Sequence, residues 1–201
     1  MRYSLATLAI VLILSSCQFS SKTSSIHKVE EIHHEVFNKE LSASGIRFSV
    51  SYVKEISATL LTIKTVGLEA REFNETIDVQ GDFVVGAEVA DLNSDGSPEL
   101  FVFTQSPGSG SYGKVYAFSV NNKKSMSQVY FQPTSENKAI SEGYMGHDAF
   151  SISENSLVQR FPIYKRSDSN ANPTGGMRKV SYKLLNGEAG RKLVVDRVTT
   201  Y

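Results

Sequence analysis

Beyond Gly45 the chain runs in short stretches of alternating apolar and polar residues, each closed by turn-forming residues. Lys114–Val120 shows the step: Tyr116, Phe118 and Val120 fall on one face of an extended chain, Val115 and Ala117 on the other. Strands are expected at Arg47–Lys54, Thr59–Val66, Glu75–Gln80, Phe83–Ala90, Glu99–Gln105, Lys114–Val120, Ser127–Phe131, Ala149–Ser153, Leu157–Tyr164, Met177–Leu185 and Lys192–Arg197. Glu154-Asn155-Ser156 and Asn186-Gly187-Glu188-Ala189-Gly190 read as hairpin turns, since Asn and Gly tolerate positive φ. An all-β domain follows for residues 46–201, an antiparallel sandwich or barrel. Eleven Phe and nine Tyr against no Trp agree with it.

Ahead of Gly45 the pattern differs. Ile26, Val29, Ile32, Val36, Phe37 and Leu41 recur at steps near three and four, with Ser24 or Ser25 available as an N-cap, and predict an amphipathic helix over Ile26–Leu41. His27, His33 and His34 lie on it, and imidazole is a common metal ligand. His33 and His34 are adjacent and point different ways, so a solvated surface is the better reading.

The first residues are an export signal: Arg2, an apolar run from Leu5 to Leu14 broken only by Thr7, then Ser15-Ser16-Cys17. A run of about ten residues is half what a bilayer-spanning helix needs. Residues 1–16 resemble a lipoprotein signal peptide, and Cys17 the acylated residue of its lipobox. Several acyl chains on one cysteine make a firm membrane anchor, and Gln18 in place of Asp points, by resemblance to enteric lipoproteins, to the outer membrane of a Gram-negative envelope, facing the periplasm. Residues 17–45 then hold the lipidated cysteine, a polar tether through Ser25 and the expected helix. Cys17 is the only cysteine, which rules out an internal disulfide.

The chain carries 21 basic and 21 acidic residues, and removal of Arg2 with the signal leaves it near −1. It lacks the basic footprint of a nucleic-acid partner.

Three segments carry chemistry. Asp91-Leu92-Asn93-Ser94-Asp95-Gly96-Ser97-Pro98-Glu99 alternates side-chain oxygens as a calcium loop does, with Asp91, Asn93, Asp95 and Glu99 as candidate ligands. It is no EF-hand, because the twelfth position is Val102 and strands flank it. The other reading is a turn whose Asp and Asn side chains bond their own backbone. The second segment, Ser106-Pro107-Gly108-Ser109-Gly110-Ser111-Tyr112-Gly113, joins two strands. Its Gly-x-Gly-x-x-Gly match is empty, since a strand and not a helix follows. It half-matches a nucleophile elbow, with His147 and Asp148 as base and orienter, but the first glycine is missing. What is left is a hairpin tip holding Ser109 and Tyr112 away from the core, either a plain connection or a binding loop. The third segment runs through Gly143–Asp148, Arg160–Lys165 and the polar stretch Ser167–Arg178. It reads as a connection with Asn/Asp turns or as a second contact loop using Asp168, Asn170, Pro173, Thr174 and Arg178.

Together these residues resemble the periplasmic inhibitors of invertebrate-type (I-type) lysozyme made by Gram-negative bacteria. The resemblance rests on Asp91-x-Asn93-x-Asp95-Gly96-x-Pro98-Glu99 leading through a strand into Ser109-Gly110-Ser111-Tyr112, supported by Phe161-Pro162 and Pro173-Thr174-Gly175-Gly176. The lipid anchor and expected helix depart from the family, whose members are typically soluble. The resemblance implies a sandwich of about eight antiparallel strands, often a homodimer, that binds I-type lysozyme with the loop Gly108–Gly113 in the cleft. It implies no catalysis and no required cofactor, and makes Ser109 and Tyr112 the matching contact residues. A calcium-stabilised envelope scaffold is the rival reading, and a hydrolase using Ser109 or Ser111 a third.

Overall fold

In the computed structural model the described residues are 36–188 and 190–201. The export signal, Cys17, the tether and the three histidines near the N-terminus lie outside them. Twelve strands make up the described chain: β1 Val36–Ala43, β2 Ile46–Lys54, β3 Thr59–Val66, β4 Asn74–Asp78, β5 Phe83–Ala90, β6 Glu99–Gln105, β7 Gly113–Asn121, β8 Ser125–Phe131, β9 Ala149–Ser153, β10 Ser156–Pro162, β11 Met177–Asn186 and β12 Arg191–Thr200. A single 3-10 turn, Thr134–Glu136, follows β8.

The all-β reading holds, with one correction. The helix expected over Ile26–Leu41 gives way in its last six residues to strand β1; the part before residue 36 lies outside the described residues. The cause is an ambiguity of period. Phe37 and Leu41 are four apart, which suits one face of a helix and, being an even step, one face of a strand as well. Ser44 and Gly45, both at positive φ (52° and 82°), close a two-residue turn that folds β1 back on β2 in full antiparallel register. Phe37 and Leu41 then pack on the core, and Lys39 between them donates to the Ala87 carbonyl at 2.8 Å.

β1–β4 form one sheet in chain order; the other eight strands form a second, ordered β5-β6-β7-β8-β12-β11-β10-β9. Its two halves join where β12 runs parallel to β8 through Lys192–Tyr130 and Leu193–Phe131. Every other pairing is antiparallel. The twelve strands exceed the eight that the resemblance implies, because β1–β4 form a sheet of their own.

The layering follows from side-chain alternation. β2 buries Ile46, Phe48, Val50 and Tyr52 at every second position, and β3 answers with Leu61 and Ile63. They meet Leu100, Val102, Phe118 and Val120 from one face of β6 and β7 in a first core. Phe101, Phe103 and Ala117 from the opposite face meet Leu157, Phe161, Val180, Tyr182 and Leu193 in a second. β6 is therefore buried on both faces, which is why Leu100-Phe101-Val102-Phe103 is a continuous apolar run. Such a central strand fixes whatever its end carries, and the end of β6 carries the glycine-rich loop.

Candidate functional site

The loop between Gln105 and Gly113 is braced at nearly every residue. Ser106 N–H donates to the Tyr112 carbonyl at 2.8 Å, and Tyr112 N–H returns a bond to Ser106 Oγ at 2.9 Å. The loop turns on Gly108 (φ 103°) and Ser111 (φ 42°). Two other segments hold it from below. His147 N–H donates to the Gly110 carbonyl at 2.6 Å, and Asn170 Nδ2 to the Ser109 carbonyl at 2.9 Å. Gly146 is required for this approach, since a Cβ there would strike the Gly110 oxygen. At the top Ser109 is exposed and Tyr112 is 44% exposed. The Tyr112 ring sits edge-on to Tyr144, 5.8 Å between centroids, and a cleft of about 510 Å³ opens beside it, walled by Tyr116, Tyr130, Phe131 and Pro133.

Sequence reasoning did not find what lies underneath. Asp148, 3% exposed, accepts from Gly113 N–H at 2.8 Å and Tyr144 Oη at 2.6 Å through Oδ2, and from Gln159 Nε2 at 2.6 Å through Oδ1. Gln159 is fully buried and bonds Thr134 and Tyr182 in turn. Burial pushes the Asp148 carboxyl above its ordinary value, against the pull of the Tyr144, Gly113 and Gln159 donors. Burial, then the Asp148 charge, raises the Tyr144 phenol as well. One sequence signal was present: Gln159 occupies a core position between Leu157 and Phe161 on the inward face of β10.

The second expected contact loop lies beside the first. Asp168 organises it by accepting from Lys165 N–H at 2.7 Å and from Thr174 N–H and Oγ1, each at 2.8 Å; the two amides hold its carboxyl below the usual range. Asn170 links the loops, bonding Ser109 through Nδ2 and His147 Nε2 through Oδ1 at 3.3 Å. Pro173 and Thr174 are exposed. Arg178 differs in kind: its guanidinium donates to the carbonyls of Ile140 and Glu142 at 2.6 and 2.9 Å, anchoring the segment that carries Tyr144 and His147.

Among the described residues no hydrogen bond joins the His147 ring to Ser109 or Ser111. The His147 ring bonds Asn170 and stacks on Tyr164, while Ser111 Oγ donates to the Gly108 carbonyl.

In the Asp91–Glu99 loop, Asp91 accepts from Asp95 N–H and Gly96 N–H at 3.1 and 2.8 Å, and Asn93 Oδ1 from Asp95 N–H at 3.3 Å. The positive charge beside these oxygens is Arg191, which reaches across from β12 to Asp95 at 2.7 Å, to the buried Glu99 at 3.4 Å, and to Ser119. Glu99 also accepts from Leu92 N–H at 2.9 Å and Ser119 Oγ at 2.7 Å. Among the described residues no group of three or more His, Cys, Asp or Glu is arranged to hold a metal ion. Because a guanidinium already balances the loop, titrating calcium is expected to leave the unfolding temperature unchanged; a rise of several degrees would assign the loop to an ion.

Fold and loop together define an all-β protein whose braced, glycine-rich tip leaves Ser109 and Tyr112 exposed. Residues 72–139 match the family model described as periplasmic lysozyme inhibitor of I-type lysozyme. The matched segment takes in the Asp91–Glu99 and Ser109–Tyr112 motifs, so the resemblance seen in the sequence is borne out there; Phe161-Pro162 and Pro173–Gly176 lie beyond it. The match covers 68 of the 201 residues. No curated protein and no solved structure matches the chain.

Proposed function

We propose that this protein inhibits I-type lysozyme by inserting Ser109-Gly110-Ser111-Tyr112 into the active-site cleft, and so protects peptidoglycan without catalysing a reaction itself. The observation that carries the reading is the exposed Ser109 and Tyr112 on a loop braced by His147 and Asn170, inside the segment that matches the family. A lysozyme flanks the glycosidic bond with two carboxyl groups, one of them protonated. A hydroxyl both donates and accepts, so Ser109 and Tyr112 suit either protonation state, and bonds to a charged carboxylate are the stronger kind. Asp168, Asn170, Pro173 and Thr174 form a second contact beside the first, while Arg178 anchors the segment that carries Tyr144 and His147. Acylation at Cys17 would hold the inhibitor on the outer membrane, in the path of an incoming lysozyme. A homodimer is the assembly that the resemblance implies.

Cleft insertion makes a competition expected. An N-acetylglucosamine oligomer that fills the lysozyme cleft should raise the apparent dissociation constant in inverse proportion to the fraction of clefts left empty; a ternary complex of lysozyme, oligomer and inhibitor would overturn the insertion.

A further inference from the structure

Residues 147 and 148 touch the loop at both stems and at its middle. The Asp148 carbonyl accepts from Gln105 Nε2 at 2.9 Å, at the end of β6, while its carboxylate takes Gly113 N–H, at the start of β7. Between them His147 N–H holds the Gly110 carbonyl. The same carboxylate oxygen that takes Gly113 also takes the Tyr144 hydroxyl, and the Tyr144 ring is the wall against which Tyr112 rests. Gly113 leaves the room: a Cβ there would lie 2.7 Å from the Asp148 Cβ. All three partners of the carboxylate present donors, so only a group with two acceptor oxygens completes the arrangement.

We infer that Asp148 is the positioning residue of the binding loop, setting the direction of Tyr112 through Gly113 and Tyr144. The inference rests on the proposed inhibition for its consequence in binding, but the positioning itself is a property of the free protein. A loop ordered before contact leaves less conformational freedom to be lost in the complex.

Asp148→Asn separates positioning from bulk. Its amide presents donors where one carboxylate oxygen stood, so either Gln159 Nε2 faces another donor or Gly113 and Tyr144 lose their acceptor. Combining it with Gln159→Glu restores the match, because the amide introduced at position 148 then donates to the carboxylate introduced at position 159, while the amide oxygen takes Gly113 and Tyr144. Three quantities are read on the full protein: unfolding temperature, amide exchange of Gly113 without lysozyme, and the dissociation constant with I-type lysozyme.

In Asp148→Asn, Gly113 exchange is expected to rise about tenfold or more and affinity to fall about tenfold; in the double variant both should return to within about threefold of wild type. Tyr144→Phe, which deletes only the hydroxyl, should weaken binding less. Unchanged Gly113 exchange in a folded Asp148→Asn protein would overturn the inference, as would equal losses in the single and double variants at equal stability. If the wild type binds no lysozyme, the proposed function fails, while Gly113 exchange still decides whether Asp148 holds the loop.

Discussion

Tyr112→Ala is expected to weaken binding to I-type lysozyme by about 2 kcal/mol or more, close to thirtyfold, with little change in the stability of the free protein. The asymmetry follows from where the ring sits. At 44% exposure Tyr112 lies outside both cores, its ring edge-on to Tyr144 and close over Gly110 and Gly146, so its removal leaves no internal cavity. In a complex the ring would be buried against a surface shaped for sugar, and a rigid aromatic on an ordered loop is the usual profile of a hot spot. Tyr112→Phe keeps the ring and loses the hydroxyl, so it should fall between wild type and alanine. Calorimetry of the three proteins reads the series; an unchanged dissociation constant in Tyr112→Ala would remove the loop from the mechanism.

Arg191→Ala should be the most damaging change among the surface-reaching residues, at about 3–5 kcal/mol of folding stability, which is a fall of roughly 10 °C in unfolding temperature for a chain of this size. Glu99 is fully buried, and burial pushes its carboxyl above the ordinary value even with Arg191 beside it. Without the guanidinium the carboxylate keeps Ser119 and Leu92 as donors and loses its counter-charge. The sign of the pH dependence follows. The Arg191 charge holds the Glu99 value down, so its removal raises the folded pKa further, and the variant gains stability relative to wild type as pH falls through the interval between the two values. Thermal unfolding from neutral to acid pH checks both statements. A loss under about 1 kcal/mol, or a deficit that does not narrow on acidification, would show that the ion pair is not what holds the Asp91–Glu99 loop.

Much of the fold was legible because most strands declare themselves locally. Thr59–Val66, Phe83–Ala90, Glu99–Gln105 and Ala149–Ser153 have the bounds expected of them, each ending where turn chemistry begins. β1 was misread because Phe37 and Leu41 satisfy both periods, and its pairing with β2 decides between them. The order of the large sheet was not legible at all: the parallel contact of β12 with β8 joins residues some sixty positions apart, and no local pattern encodes it.

The candidate site divides the same way. Its exposed tip could be read from Gly108–Gly113, since glycines and hydroxyls between two confident strands mark a loop built to approach something. Its supports could not. Asn170 meets Ser109, and Arg191 meets Asp95, across 61 and 96 residues, so these partners appear only once the chain is folded. In the Asp-x-Asn-x-Asp-Gly loop the oxygens are visible in sequence, and the guanidinium that faces them is not.

The most direct test of inhibition is muramidase activity of I-type, chicken-type and goose-type lysozymes titrated with the purified protein, with the Ser109→Ala/Tyr112→Ala variant as control. The expected result is selective, stoichiometric loss of I-type activity that disappears in the double variant; unimpaired activity of all three lysozymes would contradict it.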